Sequence, residues 1–112
     1  MTTVTFEKDG NGYRSFTCFG HAGFAKKRFG KQQPDILCAA ISALTANTVN
    51  GLTEIAGEKL TVTENEETGF LRCVIDSQLK DSSKILLDSY VLSLQEYSKQ
   101  YSKNLTVNFK EV

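Results

Sequence analysis

Two runs of alternating residues meet at Asp9-Gly10-Asn11-Gly12, and that junction constrains the fold more than any other feature of the chain. Residues of this kind tolerate the positive φ angles of tight hairpin turns. Thr2 to Lys8 puts Val4 and Phe6 on one face, and Tyr13 to Phe19 alternates again with aromatic and β-branched side chains. The chain is therefore expected to open with a β-hairpin. Gly20 ends the second strand, and His21 stands just beyond it.

From Ala22 to Pro34 no period is sustained. Gly23, Gly30 and the only proline punctuate this stretch, and Lys26, Lys27, Arg28 and Lys31 charge it. It reads as a loop, of a length that is uncommon unless it has a task. Pro34-Asp35 then opens a helix in which Leu37, Ile41, Leu44, Thr48 and Leu52 recur at helical spacing. Asp35 is the N-cap candidate. Ala39, Ala40, Ala43 and Ala46 make this helix slim enough to approach a sheet closely, and Gly57 is expected to stop it. Lys59–Thr63 and Gly69–Ile75 read as a second pair of strands around a polar loop. Asp81, Ser82 and Ser83 offer caps for a second helix, whose stripe is Leu86, Tyr90, Leu94, Tyr97 and Tyr101 with Leu87 and Val91 beside it. Leu105, Val107 and Phe109 alternate in a last strand. The order β-β-α-β-β-α-β predicts an α+β two-layer sandwich, a mainly antiparallel sheet with two helices on one face. Residues 1–112 are expected to form one domain.

Composition narrows the function. Thirteen basic and thirteen acidic side chains give zero formal charge, which argues against a general nucleic-acid binder, since those carry a basic excess. The start of the chain has no signal-peptide pattern, and no run approaches the ~18 apolar residues of a membrane span. A soluble, cytoplasmic protein is expected. Cys18, Cys38 and Cys73 are then free thiols rather than a disulfide framework.

His21 is the only histidine, so any chemistry that needs an imidazole must use it. With Asp35 as cap, Cys38 is the third residue of its helix. There the unpaired N–H groups and the helix dipole favour an anion, and they suit an oxyanion as well. An adjacent imidazole is the other device that activates a thiol. The bland alternative is that Cys38 packs as a small hydrophobe, and the carboxylate of Asp35 opposes ionisation of a nearby thiol. On spacing alone the bland reading is the commoner one. Cys18 with His21, Cys38 and Cys73 would make a zinc set, but only one of the two expected short ligand pairs is present. No dinucleotide or P-loop glycine pattern occurs. Ser42, one turn after Cys38, has the ordinary alternative of bonding back to the carbonyl at position 38.

Gly20-His21-Ala22-Gly23, followed by Asp35-Ile36-Leu37-Cys38-Ala39-Ala40-Ile41-Ser42-Ala43-Leu44, resembles the bacterial ribosomal-processing cysteine protease family. The similarity continues into Thr48-Val49-Asn50 and Gly69-Phe70-Leu71. The family's histidine and cysteine fall on His21 and Cys38. The resemblance implies an endopeptidase that removes an N-terminal extension from a large-subunit ribosomal protein, cutting after hydrophobic or aromatic residues. It also implies a cytoplasmic homodimer with no metal or organic cofactor, no membrane and no direct nucleic-acid partner. His21 is then the base and Cys38 the nucleophile, with Asp35, Ser42 and Gly20 in support. The stretch between His21 and Cys38 is longer and more basic than the family pattern. It is read as a substrate lid with Gly23 and Gly30 as hinges, and Phe24 and Phe29 either line the pocket or anchor the loop to the domain. The alternative from another class is a non-catalytic ribosome-associated module that binds protein or RNA through the basic loop.

Overall fold

Pairing between the first two strands follows the alternation. In the computed structural model, which describes residues 1–23, 27–28, 31–32 and 35–112, β1 (Thr2–Asp9) runs antiparallel to β2 (Gly12–Phe19). At the turn Gly12 adopts φ +110°, and Asp9 Oδ1 accepts from the Asn11 N–H at 2.7 Å. A bulge opposite Glu7 and Lys8 leaves Arg14 without a partner residue, since Glu7 faces Ser15 and Lys8 faces Tyr13. That extra residue resets the phase of β2, so Tyr13 and Phe16 both reach the core although three positions apart.

The stretch expected to be an irregular loop contains a small ladder of its own. β3 (Lys27–Arg28) and β4 (Lys31–Gln32) pair antiparallel, apart from the main sheet. Two residues per strand are too few to show a period of two. Phe24, Phe29 and Gly30, assigned to the substrate lid, lie outside the described residues.

α1 (Ile36–Asn50) buries Leu37, Ile41, Thr45 and Thr48. The alanines do not line its sheet-facing side: Ala39, Ala43 and Ala46 are exposed. The threonines take that place because each hydroxyl bonds back to its own helix, Thr45 to the Ile41 carbonyl at 2.7 Å and Thr48 to the Leu44 carbonyl at 2.9 Å. Gly51–Ile55 continues as a π-helical turn, in which the Ala56 N–H donates to the Gly51 carbonyl at 3.0 Å. Gly57, at φ +68°, ends it.

β5 (Leu60–Asn65) and β6 (Phe70–Ile75) form the second antiparallel pair, with β5 two residues longer than its expected end. After α2 (Asp81–Gln100), β7 (Leu105–Glu111) returns parallel to β1, placing Val107 beside Val4 and Phe109 beside Phe6. The five-stranded sheet has the order β5-β6-β2-β1-β7. The expected α+β sandwich holds, with both helices packed on the Val4, Phe6, Phe16, Cys18 and Cys73 side. On the other side Arg72 crosses the strands, donating to Glu7 Oε1 and Thr17 Oγ1, each at 2.9 Å. That guanidinium, with the Ser15 hydroxyl, holds the Glu7 carboxyl below the usual carboxylate range.

The cap of α2 differs from the expectation. Asp81, Ser82 and Ser83 lie inside the helix, and the N-cap is Lys80, which makes no side-chain capping bond. A distant residue does that work. The buried Glu58 carboxylate accepts from the Lys80 N–H at 3.3 Å, from Ser77 Oγ at 3.1 Å and from the Ser83 hydroxyl. Burial alone would raise its pKa, but the bonds from Ser83, Lys80 and Ser77 outweigh burial and hold it below its ordinary value. A carboxylate with a lowered folded pKa stabilises the fold above the unfolded value of 4.5, and that stabilisation disappears as pH falls through the folded pKa. Glu58→Ala leaves three donors unmatched and should cost about 1–3 kcal/mol in urea unfolding. Wild-type stability should also fall more steeply than that of the variant as pH drops below 4.5. Equal acid dependence would contradict this account of the cap.

Candidate active site

A cleft of about 370 Å3 lies between the first half of α1, the end of β2 and the β5–β6 hairpin. Ile41, Phe70 and Leu71 give it apolar walls, Cys38 and Ser42 line it from α1, and His21 lines it just beyond the end of β2.

His21 is exposed, but the backbone on either side of it is anchored. Gly20, at φ +91°, turns the chain out of β2, and a Cβ there would strike the Met1 carbonyl. The Gly20 N–H donates to the Thr68 carbonyl at 3.1 Å, and its own carbonyl accepts from Thr2 Oγ1 at 3.3 Å. Ala22 is buried, and Asn104 Nδ2 donates to its carbonyl at 2.9 Å. Gly23 follows with φ +66°, a left-handed conformation that suits the hinge role given to it only in its freedom from Cβ strain.

Asp35 caps α1 as its position predicts: Oδ1 accepts from the Cys38 N–H at 2.9 Å, and the Asp35 carbonyl accepts from Ala39 N–H at 3.0 Å. Cys38 is half-buried in the first turn. Its own N–H, one of the donors that suited an oxyanion, is directed at Asp35. The sulfur faces His21, with Sγ to Nδ1 at 3.8 Å. Dyads without substrate are often looser than the reacting geometry. Ser42 is exposed on the cleft, one turn further along.

The other two thiols have different surroundings. Cys18 lies at the buried floor of the cleft, against the Tyr90 hydroxyl at 3.4 Å, and burial pushes its pKa up. Cys73 is fully buried in β6, where burial and then the Asp76 and Cys18 charges push its thiol up to about 12. Among the described residues no group of three or more His, Cys, Asp or Glu side chains could hold a metal ion.

Sequence reasoning included Gly69-Phe70-Leu71 in the family resemblance but gave no residue of the β5–β6 wall a place in the site. Glu64, Asn65 and Glu66 line it, and the Glu67 carbonyl lies 3.1 Å from His21 Nε2. Gly69 was the one available signal: its φ is +67°, and a Cβ there would strike the Gly20 carbonyl.

The chain is similar to known proteins in sequence and in fold. The family model described as Cysteine protease Prp matches residues 1–106. Ribosomal processing cysteine protease Prp of Bacillus subtilis (strain 168) is 26% identical over 100 residues, which cover 86% of this chain and 85% of that one. The protein of the same name from Staphylococcus aureus (strain Mu50) is 25% identical over 81 residues, covering 72% and 76%. In fold, the chain is similar to the crystal structure of the S. aureus ribosomal processing protease Prp with a covalently linked product peptide. The TM-score is 0.84 at 24% identity, over 98% of this chain and 100% of that one. The S. aureus protease with a substrate peptide gives 0.82 at 23% identity, over the same shares.

The three thiols should separate by reactivity. Brief iodoacetamide treatment of the native protein should give a single adduct, on Cys38, because Cys18 and Cys73 are buried with raised pKa values. Unfolding in urea should release all three. Peptide mapping that found Cys18 or Cys73 modified first would overturn this ranking.

Proposed function

The chain belongs to the cysteine protease Prp family and is a cysteine peptidase, and from that premise we propose that it removes the N-terminal extension of a large-subunit ribosomal protein with His21 and Cys38 as its catalytic dyad. The observation that carries this reading is the 3.8 Å approach of Cys38 Sγ to His21 Nδ1 on the wall of a peptide-sized cleft. The relatives' names, ribosomal processing cysteine protease, support the substrate class.

In this reading His21 Nδ1 takes the thiol proton as Cys38 Sγ attacks the scissile carbonyl carbon. A C–S bond forms and the carbonyl oxygen becomes an oxyanion. The intermediate collapses, the C–N bond breaks, and the protonated His21 gives its proton to the leaving amine. Water then attacks the thioester while His21 takes one of its protons, and the departing Cys38 sulfur recovers that proton as the C–S bond breaks. Asp35 holds the end of α1 that carries the nucleophile, Gly20 sets the exit of His21 from β2, and Ser42 orders the site one turn along. Ile41, Phe70 and Leu71 offer apolar contact to the side chain before the cut, which supports cleavage after hydrophobic or aromatic residues.

We extend the reading to a cytoplasmic homodimer that works without a cofactor. The cut and the dyad are tested by intact-mass analysis of the extended ribosomal protein incubated with wild type, Cys38→Ala or His21→Ala. A single cut near the substrate's amino terminus, after a hydrophobic or aromatic residue, should appear with wild type. Both variants should lose it by at least a hundredfold, on the order expected for general-base and nucleophile loss. Native mass of the enzyme should read twice 12.4 kDa. A cut that survives Cys38→Ala would sink the dyad.

A further inference from the structure

Among the described residues the His21 ring has two hydrogen-bonding neighbours, and only one of them is the thiol. Nε2 lies 3.1 Å from the main-chain carbonyl oxygen of Glu67, in the turn that joins β5 to β6. A carbonyl oxygen accepts and never donates, so Nε2 must carry the hydrogen. A neutral imidazole has one N–H, which leaves the lone pair on Nδ1, the nitrogen that faces Cys38 Sγ. That is the tautomer a base needs in order to take the thiol proton. We propose that the β5–β6 turn, residues 65–69, is the positioning element of the site, with the Glu67 carbonyl holding His21 in the Nε2–H tautomer and aiming Nδ1 at Cys38. This rests on the dyad reading above.

The turn is built to hold that carbonyl in place. Asn65 Oδ1 accepts from the Glu67 N–H at 3.1 Å, and Thr68 Oγ1 donates to the Asn65 carbonyl at 3.3 Å. The Gly69 N–H donates to the Glu66 carbonyl at 3.3 Å. The turn is also seated on the strand end that carries the histidine, because the Gly20 N–H donates to the Thr68 carbonyl at 3.1 Å. Glycine at 69 permits this seating: a Cβ there would strike the Gly20 carbonyl and lie 3.3 Å from Cε1 of His21. The positioning group is thus a backbone atom, and the side chains that matter are those that shape the turn, Asn65 and the missing one at Gly69. An oriented base between an orienter and a nucleophile is the general logic of activated nucleophiles; here the orienter is main chain.

The test uses the fact that His21 is the only histidine. Protein labelled with 15N-histidine gives one imidazole, and its two-bond 1H–15N correlations in alkaline buffer distinguish Nε2–H from Nδ1–H directly. The expected result is the Nε2–H tautomer in wild type and in Glu67→Ala, which keeps the carbonyl. Asn65→Ala should shift the ring to a mixture of tautomers and lower kcat about two- to tenfold, the worth of one hydrogen bond. Asn65→Asp, which keeps the acceptor for the Glu67 N–H, should restore both. Gly69→Ala should displace the turn and disturb the tautomer further. An Nδ1–H tautomer in wild type would overturn the proposal, and so would a single unchanged tautomer in both Asn65→Ala and Gly69→Ala. If Gly69→Ala fails to fold, Asn65→Ala decides alone. Peptide cleavage that survives Cys38→Ala would sink the dyad reading instead, since the tautomer is measured without substrate.

Discussion

The hydroxyl of Tyr90 is the contact on which the arrangement of layers depends. Tyr90 is almost wholly buried on α2, with its ring against Phe6 and Phe16 at centroid distances of 5.6 and 5.1 Å. Its hydroxyl meets Thr45 Oγ1 of α1 at 2.8 Å and Cys18 Sγ of β2 at 3.4 Å. The direction of these bonds follows from the donors available. Thr45 already donates to the Ile41 carbonyl, so Tyr90 donates to Thr45, and the Cys18 thiol donates to Tyr90. Burial, then the neighbouring Cys18, raises the Tyr90 pKa well above its ordinary value, so this hydroxyl stays neutral. One satisfied polar chain therefore links α2, α1 and β2 among the aromatic and aliphatic side chains of the core. An unmatched hydroxyl at that depth would be costly.

The site inherits its geometry from that link. Cys38 lies two turns before Thr45 on α1, and His21 leaves the strand just after Cys18. The tie at Tyr90 therefore fixes, from below, the two elements whose ends carry the thiol and the imidazole. Each end is then adjusted locally. Asp35 terminates α1 so that Cys38 falls in its first turn, and Gly20 bends the chain so that His21 turns back over the cleft. The thiol and the imidazole are reachable from solvent while the backbone beneath them is held, as in rigid scaffolds that carry chemistry.

Local chemistry was legible where neighbours in sequence are neighbours in space. The opening hairpin could be read from Asp9 to Gly12 and the alternation around it, and the α1 cap from Asp35 three residues before Cys38. The stop at Gly57 was readable for the same reason. Long-range substitution for a local device was not. The second helix carries Asp81, Ser82 and Ser83, all good capping residues, yet its cap is Glu58, more than twenty positions earlier. The alanine face of α1 suggested close packing on the sheet, but threonines that satisfy their hydroxyls within the helix took that side instead. Likewise, the pattern in Leu105 to Phe109 marks a strand without saying that it lies parallel to β1 at the sheet edge.

By itself the sequence determined the order of the main-sheet strands and the two helices and the α+β layering, because periodicity, turn chemistry and caps act over a few residues and leave side-chain signatures; His21 and Cys38 stood out as a pair only through resemblance to a family. Only the tertiary structure decided that β7 closes the sheet beside β1, and that Glu58 serves the second helix. It also decided that a main-chain carbonyl in the β5–β6 turn meets His21. Backbone carbonyls are the same at every position, so nothing in the residue at 67 announces which one will face an imidazole. That choice is made by the close approach of Gly20 and Gly69, two residues far apart in the chain and brought together only when the strands pair.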